Sequence, residues 1–399
     1  MELTIRSIGH RGDGLAEHEG KGYAVPKTLP GEVVRLVDGK APEILTPSPD
    51  RVVPFCPYYA ACGGCALQHW TPERYRYWKR KLLVKALDAR GIEPTVADLR
   101  DAHGAGRRRV SLHVRKMNGQ WQAGFMAART HDLCPISQCP ILVPALKEAP
   151  AIAAACGALF GDCDVAVTAA DNGLDVAVKA ERLKADPHLH RAPEVLHRFS
   201  LARLSVNGEL AAETHKPFVT MGTAEVPLPM RSFLQATAMG EQELARLVLE
   251  GVGRAKTVAD LFCGVGPFAL RLAEKARVTA VDSDKHAMAS LAAAIKGAQG
   301  LKPVTLEVRD LFTTPLVPAE LKLFDAVVFD PPRAGAEAQA RALARSTVKT
   351  VVAVSCDPTS FARDATILAE GGYRFKTVTP VDQFLWSPHL ETVAVFQRA

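Results

Sequence analysis

Three stretches of unlike pattern predict a three-part chain of the α/β class. From Thr257 onward, β-branched apolar runs alternate with helical segments, as in a doubly wound parallel sheet. Residues 1 to 47 show short, evenly spaced strands punctuated by glycine, as in a small β-barrel. Between them, five of the nine cysteines fall within residues 56–139, ahead of an α+β region. The expected domains are 1–48, 49–230 and 231–399. A chain of 399 residues with 48% hydrophobic content can fill cores for all three.

In the barrel, strands are expected at 3–8, 22–25 and 32–37, with a glycine turn through Gly12 and Gly14. The Pro-rich run Thr46-Pro47-Ser48-Pro49 then marks a boundary. No apolar stretch has the length of a bilayer crossing, and Met1-Glu2-Leu3-Thr4-Ile5-Arg6 lacks a secretion signal, so a cytoplasmic protein is expected. Without a secretion signal, the clustered cysteines of Cys56-x5-Cys62-Gly63-Gly64-Cys65 point to a metal rather than to disulfides.

Thr71-Pro72-Glu73 reads as a helix start, with Thr71 at the N-cap and Pro72 at N1. The helix expected over 71–92 is free to pack on the catalytic domain. It carries seven Lys or Arg between Arg74 and Arg90, and Asp88 is the acid among them. A second basic stretch, Arg107 to Lys116, partly alternates with apolar residues, as a half-exposed strand would. Either run alone describes a solvated face. Flanking a metal-like site, and with a net charge of +6, they suggest a surface for a phosphate backbone. From 140 to 230 the pattern gives an Ala-rich helix, strands at 165–168 and 174–179, and polar loops rich in His.

The C-terminal third carries the chemistry. Asp260-Leu261-Phe262-Cys263-Gly264-Val265-Gly266 occupies the first strand-to-helix turn, where two glycines admit a ligand close to backbone. Asp282 ends the second strand, where an acid accepts both ribose hydroxyls. The missing third glycine favours an adenosine site without phosphate, and so S-adenosylmethionine over NAD. Asp330-Pro331-Pro332-Arg333 ends the fourth strand at the ligand-binding edge, although a proline pair also makes a plain stiff turn. Cys356, in Ser355-Cys356-Asp357-Pro358, ends the fifth strand before a helix whose positive end would favour thiolate. A small buried hydrophobe is the plain alternative for this cysteine. Glu391 precedes the last strand, Thr392 to Phe396, and by itself reads as a solvated carboxylate. Together these groups match one chemical problem. C5 of uracil is a weak nucleophile until a thiolate adds to C6, and a base must then take the C5 proton so that the thiolate can leave.

On Cys56-x5-Cys62-Gly63-Gly64-Cys65-Ala66-Leu67-Gln68-His69, Ser232-Phe233-Leu234-Gln235, Asp330-Pro331-Pro332-Arg333, Ser355-Cys356-Asp357-Pro358 and His389-Leu390-Glu391, the chain resembles the RNA uracil-C5 methyltransferase family. Within it, the chain is most similar to the 23S rRNA branch, which carries a TRAM domain and a [4Fe-4S] cluster. The resemblance implies a class I S-adenosylmethionine-dependent methyltransferase fold, Rossmann-like, behind an N-terminal OB-like β-barrel and a central α+β iron–sulfur domain. It implies Cys356 as nucleophile and Glu391 as base. Gln235, Phe262, Asp282 and Asp310 would contact the methyl donor, with Asp330 between donor and target base. Cys56, Cys62, Cys65 and Cys139 would hold the cluster, with Cys134 competing for the fourth place and four-thiolate zinc as the other metal. The chain departs from the family pattern at Pro267, after Asp282, in Phe384 to Pro388, and in a barrel that reads as one strand short. The expected partner is RNA, 23S rRNA before tRNA, bound by a monomer away from membranes. A catalytically silent iron–sulfur RNA-binding assembly factor is the alternative of another class.

Overall fold

The computed structural model describes residues 1–37, 41–180 and 189–398. The His-bearing stretch 181–188 read as a polar loop therefore lies outside the described residues. Among those residues, no helix is long and apolar enough to cross a membrane.

The C-terminal sheet is the doubly wound one expected. Its strands are β1 (Thr257–Leu261), β2 (Arg277–Asp282), β3 (Val304–Val308), β4 (Ala326–Phe329), β5 (Thr350–Ser355), β6 (Tyr373–Asp382) and β7 (Glu391–Arg398). They run in the order β3-β2-β1-β4-β5-β7-β6, with the short strand Arg100–Asp101 on the outer edge of β6. Strands β1 to β5 are parallel, and β7 enters antiparallel to β5. Val327, Val328, Val351 and Val352 are fully buried, because helices cover both faces and every side chain of a central strand meets a core. Strand β6 was not read from the sequence. Its alternation of Tyr373 and Phe375 with Arg374 and Lys376, followed by Pro380, lacks a continuous apolar run.

The basic helix α1 (Pro72–Asp88) packs on this sheet. Leu83 and Leu87 join the core that contains Leu261, Phe329 and Phe396, and Val96 bridges to Val378. Thr71 takes the N-cap position, but its side chain makes no capping hydrogen bond. The hairpin of Phe218–Met221 and Ala224–Pro227 also joins the catalytic core. Residues 72–102 and 218–230 thus pack with the third domain although they fall within the central span of the sequence.

The central domain is a seven-stranded sheet that includes Gln120–Met126, Arg109–Met117, Cys163–Ala170 and Gly173–Lys179. The Ala-rich helix Ala149–Phe160 covers its apolar face. At the N-terminus, six short strands make two three-stranded sheets, and Gly14–His18 and Glu43–Thr46 add to the strands expected there.

Candidate active site

Strand register brings the reactive residues together. Ser355 of β5 pairs with Thr392 of β7, so Cys356 and Glu391, one residue further along each antiparallel strand, face each other across the sheet end. Leu261 pairs with Phe329, which places Phe262 beside Asp330, and the Asp330 amide donates to the Leu261 carbonyl at 3.2 Å.

Buried hydrogen bonds then link the two carboxylates. Gln235 Nε2 donates to Asp330 Oδ2 at 3.3 Å, and Gln383 Nε2 donates to Gln235 Oε1 at 2.6 Å and to Glu391 Oε1 at 3.0 Å. Glu391 Oε2 is buried with no partner. A buried carboxylate oxygen without a donor is costly, and such groups are kept where chemistry uses them. Burial pushes Glu391 above the carboxylate range, reinforced by Asp330 and opposed by Gln383 and Lys79. Burial raises Asp330 in the same direction.

These neighbours correct the expectation of a thiolate. Burial, then Glu391 and Asp330, push the Cys356 thiol up to about 12, and Arg333 only partly offsets them. The helix α2 (Pro358–Glu370) does follow, but its N-cap Asp357 already accepts from the Thr359 and Ser360 amides, both at 2.9 Å. The free N–H groups that would attract a thiolate are occupied, and a carboxylate occupies their place.

The donor cradle has the expected shape. Phe262 adopts a left-handed φ of 61°, unusual for a bulky residue, and its ring lies 5.4 Å from that of Phe312. Gly264 at φ 52° and Gly266 at φ 92° complete the turn. A Cβ on Gly266 would lie 2.5 Å from Leu291, whereas one on Gly264 would meet open space. Asp282 Oδ2 accepts from the Gly264 amide and Oδ1 from the Asp284 amide, each at 2.8 Å, so the acid that would hold a ribose is fixed in place. Asp310 is exposed and accepts from the Phe312 amide at 2.9 Å. These residues fit an adenosine-bearing donor: open backbone, an aromatic wall and a fixed acid with spare lone pairs.

The four expected cluster cysteines are free thiols, half-buried except for buried Cys62. Burial raises Cys139 to about 12, and Cys65, Cys56 and Cys62 act on it in that order as like charges, so the four share one neighbourhood. Cys134 is buried nearby and is influenced by Cys56. Among the described residues, no three His, Cys, Asp or Glu side chains are arranged to hold a single metal ion. The all-thiol donor set is chemically compatible with a thiolate-bound group, whether zinc or an iron–sulfur cube.

The basic stretches are partly internal. Lys79 is fully buried and paired with Asp382, which also accepts from Tyr75 Oη at 2.7 Å and lies 3.3 Å from His103 Nε2. Arg108 donates to Glu241 at 2.6 Å, and Arg271 joins the same carboxylate at 2.9 Å while donating to the Pro267 carbonyl at 2.6 Å. Lys79 and Arg108 are thus withdrawn from any RNA surface, while Arg76, Lys85 and Arg90 remain exposed. Gln383 and Asp382, which organise the site, escaped the sequence reading because a loop amide and a strand-end acid carry no pattern.

A doubly wound sheet that presents a cysteine and two carboxylates beside an open-backbone cradle defines a methyltransferase-type α/β enzyme. Residues 228–399 match the family described as tRNA (Uracil-5-)-methyltransferase. An uncharacterized RNA methyltransferase of Brucella suis is 46% identical over all of this chain and 98% of its own length. The 23S rRNA (uracil(1939)-C(5))-methyltransferase RlmD of Chromohalobacter salexigens is 34% identical over 99% of this chain and 89% of that protein. The Pyrococcus abyssi tRNA (uracil-54, C5)-methyltransferase shares the fold over 99% of both chains, with a TM-score of 0.77 at 23% identity. The chain belongs to the RNA uracil-C5 methyltransferase family.

Proposed function

We propose that the protein forms 5-methyluridine in 23S rRNA, using S-adenosylmethionine held by Gln235, Phe262, Asp282 and Asp310. The observation that carries the mechanism is the partnerless Oε2 of Glu391 in the crevice that also holds Cys356. With the target uridine turned out of its stack, Cys356 gives up its thiol proton to solvent as Sγ bonds to C6, and the C5=C6 electron pair moves onto C5 and the C4 oxygen. Bound S-adenosylmethionine supplies the methyl group that C5 takes. Glu391 then removes the C5 proton, the C5=C6 bond re-forms, and the C6–S bond breaks with its electron pair returning to sulfur. Because Asp330 and Glu391 both oppose a thiolate at Cys356, protonation of Asp330 eases the first step, while Glu391 must be ionised to accept the C5 proton.

The ribosomal target rests on sequence similarity: the 23S rRNA enzyme is 34% identical over 99% of this chain, whereas the tRNA enzyme that shares the fold over 99% of both chains is 23% identical. The N-terminal strands act as a TRAM-like barrel. Exposed Arg76, Lys85 and Arg90 contact phosphates. A [4Fe-4S] cluster on Cys56, Cys62, Cys65 and Cys139 orders the RNA-binding lobe; protein purified without oxygen should be brown and carry iron, and colourless zinc-bearing protein would overturn this part. Incubating the enzyme with unmodified 23S rRNA and tRNA, then mapping 5-methyluridine, tests the target. Methylation at one 23S uridine is expected, and methylation of tRNA alone would contradict it.

A further inference from the structure

We propose that Gln383 is a positioning residue that directs Oε2 of Glu391 to the proton-removal step, and so controls release of the methylated RNA. This rests on the mechanism proposed above. Gln383 is fully buried, and its amide is held from every side. Its Oε1 accepts from the Thr237 amide at 3.4 Å, which orients Nε2 toward both Gln235 Oε1 and Glu391 Oε1. Glu391 Oε1 is thereby engaged, and Oε2 is the oxygen left without a partner.

The neighbouring backbone is fixed just as firmly. Asp382, adjacent in sequence, is tied to Lys79, Tyr75 and His103, and Lys79 also donates to the Phe384 carbonyl at 3.1 Å. Gly240, in the helix Ala238–Val252, leaves room for the amide: a Cβ there would lie 2.6 Å from Gln383 Oε1 and 2.8 Å from Gln383 Cβ. The second carboxylate joins the same chain, through Gln235 to Asp330.

The bonds that Gln383 governs are those of the last step. Glu391 Oε2 takes the C5 proton, the C5–H pair becomes the C5=C6 bond, and the C6–S pair returns to Cys356. At saturating methyl donor, which compensates for the bond that Gln383 also gives to Gln235, a misaimed Oε2 should leave methyl transfer in place and slow this elimination about a hundredfold, the usual cost of a displacement of about 1 Å. RNA already methylated would then remain covalently attached to Cys356.

The test is a single turnover of full-length Gln383→Met with ordinary uridine RNA and radiolabelled methyl donor. Both denaturing-gel adduct and released 5-methyluridine are followed. The expected result is a labelled covalent adduct that accumulates and decays about a hundredfold more slowly than in wild type. Gly240→Ala, which crowds the amide without removing it, should give the same adduct to a smaller extent, and it decides the question if Gln383→Met does not fold. Methyl transfer and release falling together, with no adduct, would overturn the role of Gln383. Absence of any adduct between wild type and 5-fluorouridine RNA would instead overturn the underlying mechanism.

Discussion

The catalytic crevice and the cysteine lobe both gather reactive side chains, but different parts of the chain hold them in place. In the crevice, strand register does the work: Ser355 opposite Thr392 and Leu261 opposite Phe329 bring Cys356, Glu391, Asp330 and Phe262 to one sheet end. In the lobe, three of the cysteines lie on an irregular segment stapled from outside. Lys27, in the turn after the strand Lys21–Val25, reaches the carbonyls of Tyr59, Ala60 and Cys62, and Arg129 pairs with Asp13 across the same boundary. Topology thus fixes the catalytic geometry, whereas the cysteine lobe depends on contacts between domains.

The largest expected effect breaks the crevice alone. Cys356→Ala should lower methylation by at least about a thousandfold, ~4 kcal/mol of barrier, and leave RNA binding near wild type in a filter assay. Equal loss of both would mean that this cysteine is structural. Next comes Lys79→Met, which leaves Asp382 buried beside the crevice without its cation. Burial alone would raise Asp382, yet Lys79 and His103 hold it well below the usual carboxylate range. Lys79 itself is pulled down to about 8 by burial that Asp382 only partly offsets. The pair therefore specifies geometry more than it stabilises, but losing one member should cost about 3–5 kcal/mol in urea unfolding.

The two regions should also answer pH with opposite sign. In the lobe, burial and then Arg51 lower His69 from 6.5 to about 4. The unfolded chain thus takes up the proton first, and stability is lost as pH falls from about 6.5 through about 4, by about 3 kcal/mol in all. His69→Gln should flatten that acid limb. In the crevice, Glu391 and Asp330 are raised, so their contribution is present below the ordinary carboxylate range and is lost as pH rises through their folded values. Glu391→Gln should accordingly raise the urea midpoint at pH 8, by the equivalent of about 1–2 kcal/mol in unfolding free energy, while stopping product release. A drop in the midpoint would contradict the crevice electrostatics. The smallest effect sharpens the RNA surface: Arg76→Ala should weaken RNA binding and lower the salt-dependence slope by about 1.

Much of the crevice was legible in the sequence, because β-branched runs mark buried parallel strands and ligands bind at their C-terminal ends. Cys356, Asp330 and Glu391 each terminate or begin such a run. The protonation state of Cys356 was not legible, since it depends on Glu391 and Asp330 brought from distant positions and on Asp357 occupying the helix end. Lys79 looked like one more solvated cation; only the packing of α1 on the sheet reveals it as internal. Gln383 lacks a charge, a periodicity or a motif, and its role arises wholly from three-dimensional hydrogen bonding.

The most direct measurement is incubation of the enzyme and methyl donor with RNA carrying 5-fluorouridine at the target, followed by denaturing electrophoresis. Fluorine replaces the proton that Glu391 must remove, so a stable protein–RNA adduct carrying the transferred methyl group is expected, and it should vanish in Cys356→Ala. Methylation of ordinary RNA without any trapped adduct would contradict attack by Cys356.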